Sequence, residues 1–204
     1  MSVANMFDKT YIPRIMGILN TTPDSFSDGG NFNSVERALR HAQLMIEDGA
    51  DIIDVGGEST RPGAQKVSLS EELERTIPII EKLASNFDVQ ISIDTSKPQV
   101  MHEAMAAGVS IINDVRALQA PGAVEIAAQT NAEICLMHMQ GQPDTMQNAP
   151  EYANIFDEIR AFFVKRLDEC TQAGIDISKI YLDPGFGFGK TLQHNFQLLA
   201  NLPR

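Results

Sequence analysis

Short apolar runs alternate with longer amphipathic stretches along this sequence, and few folds accommodate that pattern. The runs at 15–19, 51–55, 90–93, 110–113, 133–137 and 180–182 read as strands. Between the first two, Val35, Leu39, Ala42 and Met45/Ile46 recur at helical spacing, and Gly49 suits a helix stop. Leu73, Ile77, Ile80, Ala84 and Phe87 mark a second helix, and Pro98 fits the first turn of a third, where its missing N–H is harmless. Ile155, Ile159, Phe162/Phe163, Leu167 and Cys170 line a longer one that ends near Gly174. Consecutive parallel strands need a crossover covered by its own helix, so six strand–helix units imply an α/β fold on a parallel sheet.

The chain shows no repeat, low-complexity tract or linker. At 204 residues and 43% hydrophobic it is expected to form one domain, 1–204, around a core of Ile, Leu, Val, Met and Phe, since Trp is absent. A formal net charge of -11 argues against a nucleic-acid or anionic-membrane surface. Any phosphate ligand must be met by local cations or a metal ion. Cys135 and Cys170 have no metal-type spacing and read as core residues. The first residues, MSVANMFDKTYIPR, lack a signal-peptide pattern, and no apolar run approaches the ~20 residues needed to cross a membrane. A cytoplasmic location is expected.

Polar residues follow the apolar runs: Asn20, Asp54, Asp94, Asn113–Asp114, His138 and Asp183. A helix cap accounts for Asp94 taken alone, and a turn-initiating acid for Asp183 before Pro184. Six polar exits together suggest a site, because parallel strands point their carboxyl ends to one side. Asp94, Asn113 and Asp183 offer acceptors and an amide that suit a flat heterocycle with several N–H groups, such as an amino-pyrimidine or a purine.

The stretch YLDPGFGFGKT misses a P-loop, since GxxxxGK[ST] would need glycine at 184, which holds Pro184. Its alternating glycines suit a tight turn over a flat ligand, with Phe188 exposed and Lys190 near the opening of the site; a solvated lysine is the plainer reading. NTTPDSFSDGGNF (20–32) is long and polar for a strand–helix turn. VGGESTRPGAQKVS (55–68) sets Ser59, Thr60 and Arg61 before a Pro-Gly turn, a grouping that suits the oxygens of a diphosphate.

IMGILNTTPDSFSDGG, DVGGESTRPGA, ISIDTSKP, IINDV and YLDPGFGFGKT together, and in this order, resemble the dihydropteroate synthases. The resemblance runs from about Pro13 to the last residue. It implies a (β/α)8 TIM-barrel enzyme of folate biosynthesis. Such an enzyme condenses (7,8-dihydropterin-6-yl)methyl diphosphate with 4-aminobenzoate to give 7,8-dihydropteroate and diphosphate, and is a sulfonamide target. By position, Asn20 corresponds to a Mg2+ ligand. Thr60, Asp94, Asn113, Met137 and Asp183 correspond to pterin contacts, Arg61 to a diphosphate contact, and Phe26, Pro62 and Phe188 to the aminobenzoate enclosure. Asp94, Asn113, Asp183 and Arg61 would then carry the catalysis. The family's full-length form implies a homodimer.

Only six strands are readable where the family barrel has eight. The family's lysine strand and Arg-x-His strand have no counterpart before Arg204. The expectation is therefore an incomplete barrel from a truncated sequence, inactive or nearly so by itself, with its first and sixth strands unpaired. Two alternatives keep the fold without the chemistry: a pterin- or methyltetrahydrofolate-binding module of the corrinoid methyltransferase type, and a non-catalytic interaction remnant. The STRPG and TPDSFSDGG segments favour the synthase.

Overall fold

A computed structural model describes residues 13–22, 30–59, 66–141, 146 and 150–202. Six strands alternate with helices: β1 (Met16–Asn20), α1 (Gly30–Glu47), β2 (Ile52–Gly56), α2 (Leu69–Asn86), β3 (Gln90–Asp94), α3 (Pro98–Ala107), β4 (Ile111–Asp114), α4 (Ala123–Ala128), β5 (Glu133–Met137), α5 (Ile155–Gln172), β6 (Ile180–Asp183) and α6 (Leu192–Ala200). All pairs are parallel, in the order β1-β2-β3-β4-β5-β6. The expected strands fall within a residue or so of the observed ones. α1 begins at Gly30, inside the stretch read as a long loop, and Pro98 does open α3.

Alternation along each strand separates two faces. Leu19, Ile53, Val55, Ile91, Ile93, Ile112, Ile134 and Leu136 point outward and are buried under the helices. There they meet Ala38 and Ala42 of α1, Ile80 and Leu83 of α2, Met101 of α3 and Ile159 and Phe163 of α5. These outward positions are β-branched or Leu, which suits a strand buried on one face by helices. Side chains fix the helix starts: Ser68 accepts from the Glu71 N–H, Asn154 from those of Phe156 and Asp157, and Thr191 forms a reciprocal cap with His194.

The inner face is polar at both ends. At its amino-terminal end Arg14 donates to Gln90 Oε1 (2.6 Å), to Glu133 Oε2 (2.9 Å) and to the Tyr181 hydroxyl (2.5 Å). One guanidinium thus reaches from the start of β1 to β3, β5 and β6. That reach requires the sheet to curl as a barrel wall does. β1 and β6 are the sheet's edge strands among the described residues. Ile18 of β1, Leu182 of β6 and Leu192, Phe196 and Leu199 of α6 are exposed.

Candidate active site

The carboxyl ends of the strands carry the site. Asn20, Gly56, Asp94, Asn113 and Cys135 follow one another across β1 to β5 in hydrogen-bonded register, and Met137 pairs with Asp183 on β6. Counting by twos along each strand places them all on the inner face. A Cβ built on Gly56 would lie 3.5 Å from Asp94 Oδ2 and 3.8 Å from Asn20 Oδ1. Those two oxygens therefore flank the same bare stretch of backbone. Asp94, Asn113, Met137 and Asp183 are brought together as expected, with Asn20 at one end of the row.

Asp54, another of the polar residues at the strand exits, belongs with them. It lies one inward step before Gly56, is buried, and accepts from Asn113 Nδ2 at 3.0 Å. Burial pushes its carboxyl up, opposed by the Ser92 hydroxyl and the Asn113 amide. Asp94 is pushed well above the usual carboxylate range, by burial first and then by Asp54, Asp114, Glu72 and Glu58. Cys135 reports the crowding: burial and the charges of Asp183, Asp54, Asp94 and Asp114 push its thiol up to about 12. That thiol is inert and sits among the acids, whereas Cys170 is a buried core residue.

Two of the seven polar residues at the strand exits do not face inward, because each sits one residue out of phase. Asp114 turns away from Asn113 to accept from Ser96 Oγ and from the N–H groups of Arg116 (2.8 Å) and Leu118 (2.8 Å). It holds a turn in which Ala117 and Leu118 both adopt left-handed backbone, φ 52° and 57°. His138 points outward too, its ring 5.0 Å edge-on from that of Phe162.

The glycine-rich segment packs its backbone tightly against residues 138–140. A Cβ on Gly185 (φ +71°) would fall 2.0 Å from the His138 carbonyl oxygen. One on Gly189 (φ +59°) would fall 2.7 Å from that of Gln140. Residues with side chains cannot approach the 138–140 backbone that closely. Nor does Lys190 stand at the opening or in solvent. It is 3% exposed and donates to the carbonyls of His138 (3.1 Å) and Phe188 (2.9 Å), with His138 Nδ1 at 3.1 Å. Burial brings Lys190 down to about 8; burial and then the Lys190 charge bring His138 down to about 4. The loop so held keeps Asp183 Oδ1 bonded to the Gly185 N–H at 2.7 Å and leaves Phe188 half-buried.

Phe26, Thr60, Arg61 and Pro62 lie outside the described residues. Among the described residues no cluster of three or more His, Cys, Asp or Glu is arranged to hold a metal ion. No described helix is long and apolar enough to cross a membrane.

Known proteins resemble the chain in sequence and fold. The family model described as pterin binding enzyme matches residues 16–204. The dihydropteroate synthase of Escherichia coli (strain K12) is 59% identical over 190 residues, covering 93% of this chain and 67% of that protein. The Yersinia pestis dihydropteroate synthase with a sulfonamide drug complex superposes with a TM-score of 0.88 at 57% identity, covering 93% of this chain and 69% of that one. The Xanthomonas albilineans dihydropteroate synthase with 4-aminobenzoic acid gives 0.87 at 50% identity, covering 94% and 68%.

Proposed function

The chain belongs to the dihydropteroate synthase family of pterin-binding enzymes, and we propose that its inner strand tips hold a dihydropterin ring while diphosphate departs from the attached carbon. The family's activity is a transfer to 4-aminobenzoate in folate biosynthesis, and the chain is a transferase of that kind. The observation that supports the residue roles best is the shared inward face of Asp94, Asn113 and Asp183 beside Met137.

An amino-pyrimidine edge donates, and these carboxylates accept; Asn113, braced by Asp54, can donate and accept. Met137 forms an apolar wall for the ring. The aryl amine attacks the methylene carbon as the C–O bond breaks, its electron pair leaves on diphosphate, and the amine gives one proton to diphosphate or water. No strong base is needed, because the amine is already nucleophilic. Charge on the leaving group is the harder problem.

Asn20 presents one amide oxygen, which fits a Mg2+ ion carried largely by water and by the diphosphate itself. When bound, the ion would neutralise charge developing on the diphosphate. Thr60 and Arg61 would meet the pterin and diphosphate from the segment after Ser59, and Phe26, Pro62 and Phe188 would enclose aminobenzoate and sulfonamides. The partners are these small molecules and, in the homodimer, a second copy; the compartment is the cytoplasm.

The test supplies the protein with both substrates and Mg2+, and quantifies product and diphosphate. Slow release of dihydropteroate and diphosphate in equal amounts is the most that this chain is expected to show by itself. Tight pterin binding that neither diphosphate with Mg2+ nor 4-aminobenzoate affects would replace the synthase reading with a binding module.

A further inference from the structure

The exits of β2 and β3 are locked together by an ion-pair hub set behind the site. Lys97, just past β3, donates to both Glu58, just past β2, and Glu72 of α2. Glu72 is 0% exposed and takes a second bond, 2.5 Å, from the Thr95 hydroxyl. The β2 exit is pressed onto the same helix, where a Cβ on Gly57 would meet Glu72 Cγ at 2.9 Å.

A side chain as buried as Glu72 needs a partner for each polar atom, and Lys97 with Thr95 supplies them. Lys97 then has a second carboxylate partner, Glu58, that this requirement does not explain. What Glu58 adds is a tether between two strand exits. Those exits begin at Gly56 and Asp94, register neighbours, and Asn20 Oδ1 lies across the same gap. The gap separates the group assigned to the ring, Asp94, from the group assigned to the charged end of the substrate, Asn20.

We propose that Glu58 and Lys97 are positioning residues that couple the two halves of the site: their ion pair, seated on Glu72, fixes the spacing of Asp94 and Asn20 across Gly56. The inference rests on the ring and diphosphate roles given above. Neither residue is among those assigned to the ring. With the spacing fixed, a pterin and a diphosphate each bind a preformed half-site and favour each other; with the tether cut, each half-site survives and the mutual favour is lost.

The experiment is calorimetric titration of 6-hydroxymethyl-7,8-dihydropterin into the protein, with and without diphosphate and Mg2+, alongside a thermal melt. Wild type is expected to bind the pterin at least tenfold more tightly when diphosphate and Mg2+ are present. Glu58→Ala should cut that gain at least threefold, with pterin-only affinity held within twofold; Glu58→Gln, which keeps the hydrogen bond from Lys97, should recover part of the gain. An undiminished gain in Glu58→Ala overturns the proposal, as does a loss shared equally by pterin-only binding. If Glu58→Ala does not fold, the Glu58→Gln gain decides, and a wild-type value there overturns the proposal. Wild type that binds pterin without any gain also overturns it, while leaving the pterin site standing. Wild type that binds no pterin removes the ring assignment first.

Discussion

Asn113 of β4 donates to Asp54 of β2 across the intervening strand, Nδ2 to Oδ2 at 3.0 Å. β3 permits the bond because it offers only Ser92 beside Asp54 on the inner face. The bond orients an amide that has two chemically different ends, and a pterin edge distinguishes them. Asp54→Ala should leave Asn113 free to rotate and weaken pterin binding by about tenfold, the worth of one buried hydrogen bond. Asp54→Asn keeps an acceptor in place and should lose about threefold or less. Fluorescence titration with a reduced pterin measures both.

Asp94 combines function with a stability cost. Its carboxyl is pushed well above the ordinary range in the folded protein, first by burial and then by Asp54, Asp114, Glu72 and Glu58. A folded-state value above the unfolded one means the native state holds the proton more tightly. The cost is absent below about pH 4, where both states are protonated, and grows as pH rises through the native value. Asp94→Asn should therefore raise the melting temperature at pH 7 by ~2–4 °C, about 1 kcal/mol, and abolish most pterin affinity. The gain should vanish when the melts are repeated near pH 4. A variant less stable than wild type at pH 7 would refute the cost.

The strands were legible because their outward residues, Ile53 and Val55 or Ile91 and Ile93, form apolar runs broken by acids. Short elements were not: α4 spans six residues, and a helical turn at Ile177–Lys179 spans three. Polarity at a strand end announced Asp94, Asn113 and Asp183, but it also announced Asp114 and His138, which face the other way. Only the count by twos from a known inward residue separates them, and that count needs the strand's register. Lys190 read as a lysine near the opening of the site or in solvent because nothing local reveals that two backbone carbonyls and an imidazole converge on its nitrogen. Glu58, Glu72 and Lys97 escaped notice for a similar reason, since their pairing exists only after α2 packs against the exits of β2 and β3.

Gly185 should be among the least replaceable residues of the chain. It combines φ +71° with a Cβ position 2.0 Å from the His138 carbonyl oxygen, and the obstruction is backbone that cannot swing aside. Gly185→Ala must push the glycine-rich loop off the 138–140 segment, breaking the Lys190 contacts. A loss of at least ~2 kcal/mol in denaturant unfolding is expected. By contrast Gly187, with no atom within 4 Å of its Cβ position, meets only the backbone preference. Its alanine variant should lose about 1 kcal/mol. Equal losses at the two positions would refute the packing role of the motif.

His138 makes the fold sensitive to acid in a definite window. Burial and the neighbouring Lys190 charge hold its imidazole at about 4, below the ordinary value of 6.5. The unfolded chain therefore takes up the proton first. The stability that His138 contributes by staying neutral is fully present above about pH 6.5 and is lost as pH falls toward 4. Raised carboxyls at Asp54, Asp94 and Asp114 slope the opposite way, so the wild-type curve alone mixes the two. His138→Phe keeps an aromatic ring against Phe162 and removes the titration. Subtracting its urea-unfolding free energies from those of wild type, from pH 4 to 7, should leave a difference that rises with pH and flattens above 6.5. A flat difference throughout would mean that the native imidazole titrates as it does in the unfolded chain, and would refute its depression by burial and the Lys190 charge.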